Sequence, residues 1–174
     1  KPTSGLILVA KSEDACRKLN ELFAQRHIEK FYMALCPKTL KKKQGAVVGD
    51  MAKSRRGSFK LLKTQENPAV TQFFSYGLGQ GIRVCVLKPK TGKTHQLRVA
   101  LKSLSAAILG DETYGGLIQD RLYLHAYALK FQYQGEVFQF VCPPVQGQLF
   151  NTNEFSSWIS ELPDPWELTW PRLK

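Results

Sequence analysis

The sequence predicts an α+β fold, a mainly antiparallel or mixed β-sheet with flanking helices, and three observations carry that prediction. Residues 70–76, 82–88, 129–133 and 137–141 are short runs rich in β-branched and aromatic side chains, separated by turn residues. Two other stretches repeat apolar residues at helical spacing instead. The chain has 174 residues, 43% hydrophobic and 22% charged, which suits one domain around one core and excludes a disordered chain.

In chain order, the apolar run Gly5-Leu6-Ile7-Leu8-Val9-Ala10 predicts a buried strand. The first residue is not Met and the chain opens straight into this run, so it reads as a piece of a longer protein. Ser12 is a candidate N-cap, Glu13 and Asp14 suit the positive end of a helix, and Ala15, Cys16, Leu19, Leu22 and Phe23 follow at helical spacing, which predicts a helix over 12–26. Residues 31–35 predict a strand stopped by Cys36-Pro37, followed by a basic loop with Lys38, Lys41, Lys42 and Lys43 and a second basic cluster at Lys53, Arg55 and Arg56. Gly77, Gly79 and Gly81 predict a loop between two strands, and Gln134-Gly135 a hairpin turn. Leu97, Ala100, Leu101 and Leu104 predict a second amphipathic helix, capped by Thr94. The tail over 145–174, with Trp158, Trp166 and Trp170, is expected to be an irregular extension packed on the same body.

Lys and Arg number 25 against 14 Asp and Glu, a formal charge of +11, and a polyanion is the natural partner of such a surface. Cys16, Cys36, Cys85 and Cys142 lie far apart with no Cys-x-x-Cys, which argues against zinc, and their apolar or Pro neighbours predict buried reduced thiols. No apolar run approaches the ~20 residues of a membrane span, and the amino terminus carries no signal-peptide pattern, so a cytoplasmic protein without a membrane partner is expected.

Thr91-Gly92-Lys93-Thr94 stands between a predicted strand and a predicted helix, the setting of a phosphate-binding loop. That motif needs Gly five residues ahead of Gly92, where this chain has Leu87, so a nucleotide triphosphatase is a poor fit and a strand-to-helix turn with Lys93 facing a phosphate or water is the alternative. His95 and Arg98 fall on one side of the predicted helix, Tyr32 interrupts an apolar strand, and Leu124-His125 opens another. Each alone is compatible with packing or capping.

Taken in order, five segments resemble the RluA-like family of RNA pseudouridine synthases: Thr3-Ser4-Gly5-Leu6-Ile7-Leu8-Val9-Ala10-Lys11, Lys30-Phe31-Tyr32-Met33-Ala34, Thr91-Gly92-Lys93-Thr94-His95-Gln96-Leu97-Arg98-Val99, Ile108-Leu109-Gly110-Asp111-Glu112-Thr113-Tyr114-Gly115 and Arg121-Leu122-Tyr123-Leu124-His125-Ala126. The resemblance implies a partial pseudouridine synthase catalytic domain over 1–144. In this family a His-Arg-Leu-Asp stretch precedes Thr-Ser-Gly, and its catalytic Asp would fall immediately before Lys1. None of Asp14, Asp50, Asp111, Asp120 or Asp164 stands in a matching position, so Arg98 is expected to lack its partner and the chain by itself to be inactive.

What the resemblance implies is isomerisation of uridine in rRNA or tRNA, without metal, redox group or nucleotide cofactor. Tyr32 would stack on the uracil and could serve in proton removal at C5, Arg98 would pair with the Asp, and Leu124 would pack in the floor of the site. Lys42, Lys43, Arg55, Arg56, Lys93, His95 and Gln96 are the candidate RNA contacts, with Lys90 and Lys102 beside them; for His95, Gln96 and Asp111 structural support is equally open. A monomer is expected, and the alternative of another class is an RNA-binding module with this fold and no activity.

Overall fold

The structure is a computed structural model and describes residues 3–173. Lys1 and Pro2, beside which the resemblance places the catalytic Asp, lie outside the described residues. Its strands are β1 (Ser4–Gly5), β2 (Glu29–Pro37), β3 (Gln44–Gly49), β4 (Met51–Lys53), β5 (Phe59–Leu61), β6 (Ala69–Gly79), β7 (Ile82–Pro89), β8 (Leu124–Tyr133) and β9 (Glu136–Val141). The helices are α1 (Glu13–Ala24), α2 (Gln96–Ser103) and α3 (Asn153–Ser160). Among the described residues, seven strands form one sheet in the order β1-β8-β2-β7-β6-β3, with β9 also on β8, and β4 and β5 form a separate hairpin. Pairing is antiparallel except where β1 lies parallel to β8, which makes this the mixed sheet and α+β class that the residue patterns predict.

Register divides the sheet into two faces. Tyr32, Ala34, Cys85, Leu87, Phe73, Leu124 and Ala126 share one face through the pairs Tyr32↔Leu87, Ala34↔Cys85, Tyr32↔Ala126, Ala34↔Leu124 and Phe73↔Leu87. Helix α2 packs over this side, where the Gln96 amide donates to Thr71 Oγ1 and to the Val70 carbonyl at 3.0 Å each. The opposite face, with Met33, His125, Val86, Phe74 and Tyr76, is covered by the tail. Trp170 lies 5.1 Å from Phe74 and 5.8 Å from Phe31, Trp158 lies 5.4 Å from Tyr76, and Phe150 and Phe155 are buried in the main core. Aromatic rings at these separations bury large apolar areas and fix their partners' orientation, so the tail closes the core.

Several local expectations change. The tail is not wholly irregular: Thr152 caps α3 by accepting the Phe155 amide, and burial of Phe155 selects the helix. The predicted strand over residues 5–10 ends at Gly5; alternation turns Leu6 and Leu8 onto a small core of Ile28, Leu129 and Phe131, and leaves Ile7 82% and Val9 74% exposed. Thr94 does not cap α2. His95 occupies the N-cap in left-handed conformation (φ 57°) and makes no side-chain cap bond, and the Gln96 side chain folds back to accept the Lys93 amide, which ties the helix start to the turn ahead of it. The glycine-rich stretch expected as a loop continues β6 to Gly79 through a register shift, and the turn shrinks to Gln80-Gly81, both with positive φ. β3 carries too few β-branched residues to read as a strand; Gly45 sits under the Phe73 ring, where a Cβ would come within 3.3 Å. Cys36 and Cys85 are buried with sulfurs 3.4 Å apart, but Cys16 is exposed because α1 buries none of its residues fully.

Candidate active site

Tyr32 and Leu124 reach one face of the sheet from adjacent strands. Their cross-strand partners are Ala126 and Ala34, so the two side chains are diagonal neighbours across β2 and β8. Leu124 is buried, whereas Tyr32 is half-buried, and burial raises its hydroxyl above the usual tyrosine range. A tyrosine so placed keeps its proton at neutral pH and presents an apolar ring with one polar tip.

Arg98 stands on the first turn of α2 over that side of the sheet. The structure corrects the expectation that it lacks a partner: its Nε donates to Asp111 Oδ2 at 2.8 Å and its Nη2 to Asp111 Oδ1 at 2.6 Å. Asp111 is fully buried and the Arg98 side chain is 14% exposed, so the pair is a desolvated planar fork. The carboxylate holds the Arg98 guanidinium further above its ordinary range. Asp111 earns no such place from its spacing in the sequence; it is set by a turn in which Gly110 has φ 76°, the Gly116 amide bonds the Asp111 carbonyl, and the Tyr114 amide approaches Asp111 Oδ1. A Cβ on Gly110 would lie 1.7 Å from the Arg121 carbonyl oxygen, so only glycine lets this turn pack against the start of β8.

Tyr114 links this pair to the β4–β5 hairpin. Its ring lies 4.9 Å from the Arg98 guanidinium, and its hydroxyl accepts the Phe59 amide and meets His95 Nδ1, each at 3.0 Å. Burial, with Arg98 nearby, lowers the His95 pKa below the usual imidazole value. An open cleft of about 640 Å³ runs between hairpin and helix, lined by Phe59, Leu61, Val99, Lys102 and Tyr114 among others. Neither Tyr114 nor Phe59 is legible as a site residue in the sequence; the nearest signal is the Tyr in Gly110-Asp111-x-x-Tyr114-Gly115.

The candidate RNA contacts separate into groups. Arg55 and Arg56 are exposed at the tip of the hairpin that Tyr114 anchors. Lys42 and Lys43 are exposed ahead of β3, at the far edge of the sheet, their carbonyls pinned by Ser75. Lys93 is half-exposed and its Nζ donates to Asn67 Oδ1 at 2.9 Å. Gln96 is buried, and its amide is occupied by Thr91, Lys93, Val70 and Thr71, so its polar atoms serve the fold. The structure thus brings His95, Arg98, Asp111, Tyr114 and the arginine hairpin together and leaves Lys42 and Lys43 apart. Among the described residues no group of three or more His, Cys, Asp or Glu is arranged to hold a metal ion, and no helix is long and apolar enough to cross a membrane.

Comparison with known proteins agrees with this architecture. The family described as RNA pseudouridylate synthase matches residues 1–103. An uncharacterized RNA pseudouridine synthase of Haemophilus influenzae is 46% identical over 152 residues, covering 86% of this chain and 68% of that protein. The ribosomal large subunit pseudouridine synthase D of Borreliella burgdorferi is 32% identical over 170 residues, covering 94% of this chain and 47% of that protein. The chain therefore spans about two thirds of the first relative and about half of the second. Among solved structures, human RNA pseudouridylate synthase domain containing 1 superposes with a TM-score of 0.67 at 23% identity, over 90% of this chain and 76% of that one, a likeness of fold. With a family match across more than half its length and a relative 46% identical over 86% of it, this chain belongs to the RluA-like RNA pseudouridine synthases, a family of isomerases.

Proposed function

We propose that this chain forms the larger part of a catalytic domain that converts uridine to pseudouridine within structured rRNA or tRNA. The reaction breaks the bond from the sugar C1′ to N1 of uracil, turns the base and joins C1′ to C5. C5 gives up its proton and N1 gains one, so the product is an isomer. The uridine must leave its stack to be handled, and a basic surface with an aromatic platform suits that step. Tyr32 receives the base on its ring, with its hydroxyl near the C5 proton, and Leu124 forms the floor. The arginine hairpin and the lysine loop hold the backbone.

The observation that carries this reading is the buried Arg98–Asp111 pair. Guanidinium has five N–H groups, and two are committed to Asp111, which leaves three for a second carboxylate. Asp111 therefore fixes the orientation of Arg98 without consuming it. The second carboxylate is the Asp that the family resemblance places directly ahead of Lys1. Without that residue the chain binds RNA and does not isomerise it, and all the groups invoked come from one chain, in keeping with a monomer.

The test uses the chain extended to include the His-Arg-Leu-Asp stretch. Arg98→Lys keeps the charge and loses the fork, so single-turnover conversion should fall at least ~10-fold, equivalent to about 1.4 kcal/mol. Tyr32→Phe should leave RNA affinity in place and lower conversion. Wild-type rates in both variants, or losses accounted for by unfolding, overturn the assignment of these residues; binding without conversion by the extended chain points to a non-catalytic module.

A further inference from the structure

The hydroxyl of Tyr114 takes no part in the chemistry above. In the β4–β5 hairpin the Ser54 amide bonds the Ser58 carbonyl at 2.8 Å. Bonded and unbonded pairs alternate along an antiparallel ladder, so the Phe59 amide, one residue on, points out of the hairpin. It donates to the Tyr114 hydroxyl at 3.0 Å, and that oxygen lies 3.0 Å from His95 Nδ1. A backbone amide can only donate, which leaves the hydroxyl hydrogen for His95, whose neutral ring accepts it on Nδ1. Burial raises the pKa of Tyr114 and, with Arg98, lowers that of His95, so at neutral pH both groups hold the protonation state this arrangement needs.

The hairpin depends on such a tie. Two strands of three residues are marginal by themselves in water. Its base is fixed where the Asp50 amide bonds the Thr64 carbonyl at 2.8 Å and the Leu62 amide bonds the Asp50 carbonyl at 2.7 Å. Further out, among the described residues, the Phe59–Tyr114 bond is the one hydrogen bond from residues 51–61 to the rest of the protein. His95 adds packing, its ring edge-on to Phe59 and to Tyr114 at 5.8 Å each. It holds φ 57° yet makes no side-chain bond to the helix it precedes, so its side chain serves the hairpin. The tip itself is bare: Arg55 and Arg56 are exposed, and a Cβ on Gly57 would meet nothing within 4 Å.

Position along the hairpin gives the tie a function. A hairpin free to swing must be ordered when its arginines meet phosphates, and that ordering weakens binding. We infer that Tyr114 is a positioning residue for RNA: its hydroxyl, backed by His95, latches the β4–β5 hairpin so that Arg55 and Arg56 meet the RNA backbone in a preformed posture. The inference rests on the proposed function, in which this hairpin holds the backbone. One net hydrogen bond shifts an equilibrium by about 2- to 13-fold, so loss of the hydroxyl should weaken RNA binding by about fivefold. The dependence of affinity on salt should not move, since the same phosphates are met once the hairpin is ordered.

Tyr114→Phe in the 174-residue chain removes only the hydroxyl and leaves the ring beside the Arg98 guanidinium. Hydrogen exchange of the Phe59 amide should speed up about fivefold relative to that of Val84, a core residue with no exposed surface. Equal change at the two amides, or none, overturns the latch. Affinity for a fluorescein-labelled single-stranded RNA, read by anisotropy, should fall about fivefold with an unchanged salt slope; a loss below about twofold, or a flattened slope, overturns the positioning role. The same substitution is then made in an Arg55→Ser/Arg56→Ser background. There the hydroxyl has nothing to aim, so Tyr114→Phe should change affinity by less than about 1.5-fold. A full loss in that background means that Tyr114 acts through general structure, and overturns the inference. If Arg55→Ser/Arg56→Ser binds as tightly as the wild type, the hairpin leaves the proposed function and the positioning role falls with it, while exchange at Phe59 still reports the hydrogen bond.

Discussion

Asp111→Asn isolates the charge of the carboxylate that orients Arg98, with almost no change of shape. In the wild type two charge-assisted bonds of 2.8 and 2.6 Å run from Arg98 to a side chain with no exposed surface. The asparagine offers one acceptor where the fork needs two, and its NH₂ confronts a guanidinium N–H. The guanidinium, 14% exposed, is then buried without a counter-charge. Breaking one partner of a buried pair costs about 3–5 kcal/mol, much of a domain's net stability of about 5–15 kcal/mol. For a domain of this size each kcal/mol moves the melting temperature by about 2–4 °C, so Asp111→Asn should melt about 6–20 °C lower. Urea unfolding at pH 7.5 should show the same loss in midpoint with an unchanged slope. The double variant Arg98→Met/Asp111→Leu removes both charges and should lose less than the sum of the two single changes. A shift below about 2 °C for Asp111→Asn, or strict additivity in the double variant, would refute the buried fork.

Acid should destabilise the fold in a defined window. Burial depresses the pKa of both His95 and His125 below the unfolded value of 6.5, so their contribution is complete above about 6.5 and is lost as pH falls from there through the folded values. Urea midpoints should be level between pH 7 and 8 and lower at 5.5; a rise on acidification contradicts the neutral rings. Affinity for single-stranded RNA should fall with salt by about 0.7 in log K per phosphate contact and per decade of salt, and Arg55→Ser/Arg56→Ser should flatten that slope by about 1.4. An unchanged slope, measured by fluorescence anisotropy, removes the hairpin from the interface. Gly5→Ala should detach the first strand, because its Cβ would meet the Ala126 oxygen at 2.2 Å, and the Leu6 amide should exchange faster; wild-type protection there refutes the close approach.

The central strands were legible because β2, β7 and β8 are buried on both sides and so carry β-branched and aromatic runs. Ser12 was legible as a cap because the Ala15 amide finds its hydroxyl three residues on, a purely local event. β3 and α3 were not, since what selects them is distant: Phe73 over Gly45, and the core that receives Phe155. Thr94 failed as a cap for the same reason, because Gln96 bonds Val70 and Thr71 on another strand and draws the helix start with it. At the candidate site, the ordered motifs nominate Tyr32, Arg98 and Leu124, yet no spacing in the sequence says that Arg98 and Asp111, thirteen residues apart, face each other across a turn. Gln96 shows the converse: a motif residue nominated for RNA is occupied by four bonds within the fold.

The most direct test of the account is nucleoside analysis of digested RNA after incubation with three proteins: the 174-residue chain, the same chain carrying His-Arg-Leu-Asp ahead of Lys1, and the latter with the aspartate of that stretch changed to asparagine. All three should bind RNA with similar affinity, and only the second should yield pseudouridine. Pseudouridine from the 174-residue chain or from the asparagine variant would contradict the account, since the carboxylate that Arg98 is held to receive would then be dispensable.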